Sequence, residues 1–219
     1  MRTDVVPRGH RRHQLARAVE LLEPRGGRLL DVGAGSGWLA AAWDGPVVAL
    51  DVFSPSDPPA PWVVGSTDGL PFAARAFDTV ALFASLGAFT TTEALTAALT
   101  EVARVLRPGG TVVALASARR PVLDAVAPHR IRTGWRWRSF PVEELLGAFR
   151  SAGLAPRTVE RRAGLRSLAV DWAVTVSAPV LRRAGTQDLL DRIGEADRAD
   201  FAQPRPSGRY LYVVAERTR

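Results

Sequence analysis

Gly33, Gly35 and Gly37 stand at alternate positions of the run Leu29-Leu30-Asp31-Val32-Gly33-Ala34-Gly35-Ser36-Gly37, between an apolar stretch and a helical pattern. Without Cβ atoms such a turn lets a ligand approach the backbone closely, and the N-terminus of the helix that follows supplies unpaired N–H groups. Any nucleotide-like ligand fits that description, and a plain tight turn is the competing reading. A dinucleotide-binding loop reads G-x-G-x-x-G, its third glycine allowing close helix–strand packing. Counted from Gly33 that position is Trp38, and a bulky indole there argues against a nicotinamide dinucleotide. Two downstream acids extend the set. Asp51 ends an apolar segment, where a carboxylate can accept two hydrogen bonds from a vicinal diol or can simply cap a turn. Asp68-Gly69 is either a site acid with its glycine or an ordinary turn pair. Asp78 opens an apolar run and reads as structural.

The elements that must position these residues follow from periodicity. Leu15, Val19 and Leu22 give His10–Leu22 a helical face, closed by Pro24-Arg25-Gly26-Gly27. Arg28–Val32 reads as the first strand, Ser36–Trp43 as a short helix and Val47–Leu50 as the next strand, with Trp62–Val64 and the buried strand Phe77–Phe83 beyond. Leu95, Leu99, Val102 and Leu106 line a helix that Pro108-Gly109-Gly110 stops, and Thr111–Ala116 is apolar again. Strands alternating with helices imply right-handed crossovers and a parallel sheet, with ligands at the carboxyl ends of the strands. Pro141, Glu143, Glu144 and Gly153 signal one more helix, and Leu154–Arg161 and Arg209–Glu216 read as closing strands. The connection between those two is too long for a hairpin and carries helical patterns near 165–181 and 187–201.

A chain of 219 residues suits one well-filled α/β domain and is short for two cores. Hydrophobic content of 47% and a mean hydropathy of +0.00 are those of a globular protein, and no stretch nears the roughly 20 apolar residues that span a bilayer. The N-terminus is basic without an apolar core, so the cytoplasm is the expected compartment. The absence of Cys removes thiolate nucleophiles, disulfides and Cys-ligated zinc. All 29 basic residues are Arg, which removes a Schiff-base lysine and a P-loop lysine. Residues 1–118 hold 10 Arg and 11 acids, residues 119–219 hold 19 Arg and 11 acids. The basic second half suits an anionic small substrate, a nucleic acid, an acidic membrane surface or a merely solvated face.

Asp31-x-Gly33-x-Gly35-x-Gly37 resembles the first motif of the class I S-adenosylmethionine (SAM) dependent methyltransferases, in particular the small-molecule group similar to the ubiquinone and menaquinone methyltransferases, the type 11-like group. The resemblance continues in order over about residues 27–118: Asp51 after the second strand, Ser66-Thr67-Asp68-Gly69-Leu70-Pro71-Phe72, Phe77-Asp78-Thr79-Val80, and Arg104-Val105-Leu106-Arg107-Pro108-Gly109-Gly110. It implies SAM as cofactor and S-adenosylhomocysteine as product. Asp31, Gly33, Ala34, Gly35 and Gly37 would meet the methionine part, Asp51 with Val52 the ribose and Asp68 with Gly69 the adenine, and Phe83, at the end of the fourth strand, would also bind the cofactor. It also implies a doubly wound, mostly parallel, seven-stranded Rossmann-like sheet with a helical insertion before the last strand. The whole chain, 1–219, would be a single domain in which 27–118 form the cofactor core and 119–140 and 162–205 a substrate cap.

Methyl transfer from a sulfonium is an in-line displacement whose leaving group departs neutral, so alignment supplies much of the rate. A hydroxyl or acidic-carbon acceptor also needs a base. Phe83–Phe89 offers neither His nor carboxylate, which leaves His129 as the candidate base, against a solvent-facing alternative. His10 and His13, three apart, lack an acid cluster, and no metal is expected. Trp135-Arg136-Trp137-Arg138 could stack on a planar acceptor and pair with its anionic group, or be a strand with Trp inward and Arg outward. Trp172 either packs or lines the pocket. The expectation is therefore a methyltransferase for a small aromatic or lipid-like metabolite, monomeric or homodimeric, with no integral membrane segment. Its rivals are an RNA methyltransferase, disfavoured because no amino-methylation motif, Cys nucleophile or RNA-binding module is found, and a SAM-binding protein with non-methyl chemistry.

Overall fold

The structure, a computed structural model, describes residues 12–22, 27–83, 85–118, 138–162, 204 and 210–218. Its helices are α1 (Arg12–Leu22), α2 (Trp38–Ala42), α3 (Thr92–Val105) and α4 (Val142–Ser151). Its strands are β1 (Leu29–Val32), β2 (Val47–Asp51), β3 (Trp62–Val64), β4 (Phe77–Phe83), β5 (Leu106–Ser117), β6 (Leu154–Arg162) and β7 (Tyr210–Arg217). They form one seven-stranded sheet in the order β3-β2-β1-β4-β5-β7-β6. β1 to β5 pair in parallel, while β7 runs antiparallel to both β5 and β6. The fold is the expected Rossmann-like, mostly parallel sheet; the helical insertion expected before the last strand lies outside the described residues.

Burial on both faces explains why β1 and β4 are almost uninterruptedly apolar. Leu30, Val32, Val80, Leu82, Val112 and Ala114 point to one side, where α3 and α4 lay Leu95, Leu99, Val102, Leu145 and Phe149 on them. The alternate residues Leu29, Ala81, Phe83, Val113 and Leu115 point to the other, where α1 contributes Leu15, Val19 and Leu22. α3 is capped as its sequence prescribes: the Thr91 hydroxyl accepts the Ala94 N–H, Glu93 sits in the first turn and Arg104 in the last. Strand order reverses between β1 and β4, so the crevice at their carboxyl ends is the topological switch point where sheets of this kind take ligands.

Two expected boundaries shift. Pro108-Gly109-Gly110 stops α3 but does not delay the strand, because β5 already pairs at Leu106 with Phe77 and resumes at Thr111 with Thr79, leaving an irregularity between. Asp78 spans that irregularity, accepting the Arg28 N–H (2.8 Å) and the Arg107 guanidinium (2.6 Å), which is the structural role expected for it. α2 begins at Trp38 rather than Ser36, since Gly37 before it is left-handed. Among the described residues no helix is long and apolar enough to cross a membrane.

Two glycines give opposite predictions. A Cβ on Gly110 would lie 2.8 Å from the Arg107 carbonyl oxygen and 3.0 Å from that of Asp78, both backbone atoms that cannot give way. Gly147 inside α4 faces open space. Gly110→Ala should cost about 1–3 kcal/mol in denaturant unfolding and Gly147→Ala should add about 0.5–1 kcal/mol. Equal effects would contradict the packing described.

Candidate functional site

The loop after β1 curls over the end of β2. The N–H groups of Gly33 and Ala34 both donate to the Leu50 carbonyl, at 2.8 and 3.1 Å, and the Gly37 N–H closes a turn on the Ala34 carbonyl at 2.9 Å. Gly33 (φ 74°) and Gly37 (φ 76°) hold left-handed backbone that side chains disfavour, and both are crowded. A Cβ on Gly33 would fall 2.6 Å from the Ser85 Cβ, and one on Gly37 would strike Pro59. Gly35 differs: a Cβ there would meet nothing within 4 Å, so this side of the loop is the open one. Its N–H donates to Asp51 Oδ2 at 2.8 Å. One carboxylate oxygen thus fixes the loop, and the acceptor capacity of the other is uncommitted among the described residues.

Asp31 lies in the middle of the sheet and is 3% exposed. Burial pushes its carboxyl up to about 7, and the charge of Asp51 adds to the rise. Among the described residues no donor is bonded to it. Two carboxylates at the ends of adjacent strands, one of them desolvated, make a place where a cation is electrostatically welcome.

Val52 and Phe53 follow Asp51 and are 64% and 55% exposed, an apolar ledge beside the open loop. The Phe53 carbonyl accepts the Trp62 indole N–H at 3.0 Å, which ties the ledge to β3. Asp68 and Gly69 sit exposed in the turn after β3, the Asp68 N–H donating to the Ser66 hydroxyl. Phe83, buried at the end of β4, stacks on Trp38 at 6.3 Å between centroids. The sequence used Trp38 only to exclude a dinucleotide; here it roofs the strand end. Ser85, opposite Gly33, has a buried hydroxyl that finds no partner among the described residues. Its backbone carbonyl begins the 3-10 turn Leu86–Ala88, and the Gly87 carbonyl accepts the Arg138 N–H at 2.8 Å. Arg138 pairs with Glu144 of α4 and lies over the Phe140 ring, so residue 138 is anchored beside the turn after β4.

The structure therefore brings Asp31, Gly33, Ala34, Gly35, Gly37, Asp51, Val52 and Phe83 to the carboxyl end of the β2-β1-β4 group and leaves Asp68 and Gly69 in the neighbouring turn after β3. His129, Trp135, Arg136, Trp137 and Trp172 lie outside the described residues. The set fits a nucleoside with a cationic arm: a free carboxylate oxygen for a diol, an apolar ledge, an open glycine face and a buried acid. Ser85 carried no sequence signal beyond its position after β4.

A raised carboxyl sets a direction for pH. The folded protein keeps the Asp31 proton up to about 7, whereas an unperturbed carboxyl loses it near 3.8, so the stability of the ligand-free protein should fall as pH rises through that interval. Asp31→Asn removes the dependence: the variant should match the parent below about pH 4 and exceed it by about 1–3 kcal/mol near pH 8 in denaturant unfolding. A variant that tracks the parent at both pH values would place the charge elsewhere.

A family model described as a methyltransferase domain matches residues 30–114. No curated protein matches the chain. Among solved structures, the 4+2 cyclase SpnF is 20% identical, with 94% of this chain and 82% of that chain covered at a TM-score of 0.63. The 1,6-didemethyltoxoflavin-N1-methyltransferase of Burkholderia thailandensis, solved with 1,6-didemethyltoxoflavin and S-adenosylhomocysteine, is 19% identical over 94% and 78% at 0.59. A Galdieria sulphuraria protein assigned as a sarcosine dimethylglycine methyltransferase is 15% identical over 95% and 86% at 0.64. Such identities establish the fold alone, and a cyclase among them shows that the fold does not choose the reaction. The family match bears on the reaction, and it runs from within β1 to within β5, including the glycine loop, Asp51 and Asp68. Over residues 30–114 the chain carries a methyltransferase domain, an enzyme module whose methyl donor is SAM.

Proposed function

We propose that the chain methylates a small aromatic or lipid-like metabolite in the cytoplasm, as one domain working as a monomer or homodimer. The observation that carries this reading is the Asp51 carboxylate, held on one oxygen by the Gly35 N–H while the other stays available beside the open face of the loop. In this reading residues 33–37 receive the methionine part, Asp51 the ribose hydroxyls, Val52 the nucleoside face, and Asp68 with Gly69 the adenine. SAM supplies an electrophilic methyl on a sulfonium that leaves as a neutral thioether. Asp31 and Asp51 favour that cation over the neutral product, while the buried end of β4, with Phe83 under Trp38, keeps water from the reacting end.

The acceptor side belongs to residues 119–140 and 162–205 in this reading, with Trp135, Arg136, Trp137 and Trp172 around the acceptor and His129 as its base. Arg138 supports it, since its own N–H is bonded to the Gly87 carbonyl in the turn after β4. Small acceptors in similar proteins, 1,6-didemethyltoxoflavin in one name and sarcosine or dimethylglycine in another, favour a metabolite over a nucleic acid.

Calorimetry should detect S-adenosylhomocysteine binding and no NAD binding; the reverse preference would remove the reading. Asp51→Ala should weaken S-adenosylhomocysteine by about 1.5–3 kcal/mol, the worth of a charged hydrogen-bond acceptor. Asp51→Asn, which can still accept the Gly35 N–H, should lose most of the same affinity. Unchanged binding in both variants would move the ribose contact away from Asp51.

A further inference from the structure

The segment 66–72 carries Asp68 and Gly69 through the site rim with no helix or strand of its own. Two side chains in the last turns of α3 hold it. Glu101 Oε2 accepts the Leu70 N–H at 2.9 Å. The Arg104 guanidinium donates to the Leu70 carbonyl and to the Phe72 carbonyl, each at 2.8 Å. The same guanidinium forms a two-pronged pair with Glu101, Nε to Oε1 and Nη2 to Oε2, both 2.8 Å. Helical spacing of three puts the two side chains on one face, and the planar fork of Arg satisfies a carboxylate and two carbonyls at once, which the point charge of Lys cannot. The Arg104 hydrogen bonds hold the Glu101 carboxyl below the usual range, so the pair is ionised at neutral pH.

The arrangement does more than close a helix. Leu70, gripped from both sides of its peptide, is buried in the core. Asp68, two residues earlier, is exposed, and its N–H makes a long 3.4 Å contact with the Ser66 hydroxyl. The Arg104 carbonyl in turn accepts the Arg75 N–H at 3.0 Å and the Arg217 guanidinium at 3.2 Å, which fastens the clamp to the end of β7. Ordinary loops of this length are secured by their own turn bonds. Here the restraint comes from a helix on the far side of the segment, and what it fixes is the position of the one acid on this rim.

We propose that Glu101 and Arg104 are positioning residues that set the base selectivity of the nucleoside site by fixing where Asp68 stands. The proposal rests on the reading of Asp68 as the acid that meets the adenine amino group. Neither side chain touches the ligand; the pair acts through the 68–72 backbone. Loosening it leaves the ribose and methionine contacts in place and blunts discrimination at the base alone.

The probes are S-adenosylhomocysteine and S-inosylhomocysteine, in which a keto oxygen replaces the amino donor, measured by calorimetry on the full chain. The parent should prefer the adenine form by about tenfold or more, the value of one hydrogen bond to a carboxylate. Asp68→Ala should bring that preference close to one. Arg104→Gln should reduce it at least about threefold, and Glu101→Gln should reduce it in the same direction. In the Asp68→Ala background, Arg104→Gln should change neither affinity, a non-additivity that a purely structural role does not produce. If Arg104→Gln does not fold, Arg104→Lys carries the same measurement, since Lys keeps a cation for Glu101 but cannot span both carbonyls. A parent-like preference in the Arg104 and Glu101 variants, or equal losses for both ligands with and without Asp68, overturns the proposal while leaving the adenine reading intact. A parent-like preference in Asp68→Ala overturns the adenine reading and the proposal with it.

Discussion

The hydrogen bond from the Gly35 N–H to Asp51 joins the ends of the two strands on which any ligand of this crevice must rest. It depends on register, because Val32 pairs with Leu50 and the next N–H groups of the β1 loop turn back onto the Leu50 carbonyl. It depends on crowding too, since Gly33 and Gly37 let the loop come down between Ser85 and Pro59. The result is a loop whose open side and whose free acceptor point share one place. Bringing Asp51 there sets its charge near the desolvated Asp31, an arrangement that costs stability without a ligand and becomes favourable when a cation arrives.

Around that joint the sheet supplies rigidity without supplying chemistry. Its two apolar faces fix β1 and β4 between α1 on one side and α3 and α4 on the other, and the reversal of strand order opens the crevice at their carboxyl ends. A cyclase shares this architecture, so the fold by itself does not give the reaction. The rim is held from outside the crevice as well: Trp62 fastens the ledge after Asp51, Glu101 and Arg104 fasten the turn after β3, and Arg138 fastens the chain returning beside β4. Each of these restraints is a side chain reaching backbone across the fold.

What the sequence made legible was local. Alternate glycines after an apolar run, an acid closing the next strand and an Asp-Gly turn all lie within short windows, and the family match falls on the same residues. What it concealed was long-range or depended on pairing. The irregular start of β5 follows from Leu106 meeting Phe77, which no window over Pro108-Gly109-Gly110 contains. The run now seen as β7 showed a strand but not its direction, since antiparallel insertion between β5 and β6 is a property of the sheet. Glu101 and Arg104 looked like any charged pair at the end of a helix, because their partners are the carbonyls and N–H of residues some 30 positions away.

Amide hydrogen exchange at Gly35 in the ligand-free protein tests the joint between the strands most directly. If Asp51 holds the loop in advance of any ligand, the Gly35 amide exchanges slowly in the parent without S-adenosylhomocysteine and at the rate of an open loop in Asp51→Ala. A Gly35 amide that exchanges freely in the parent and gains protection only when S-adenosylhomocysteine binds would contradict the account, because the ligand and not Asp51 would then be what shapes the loop.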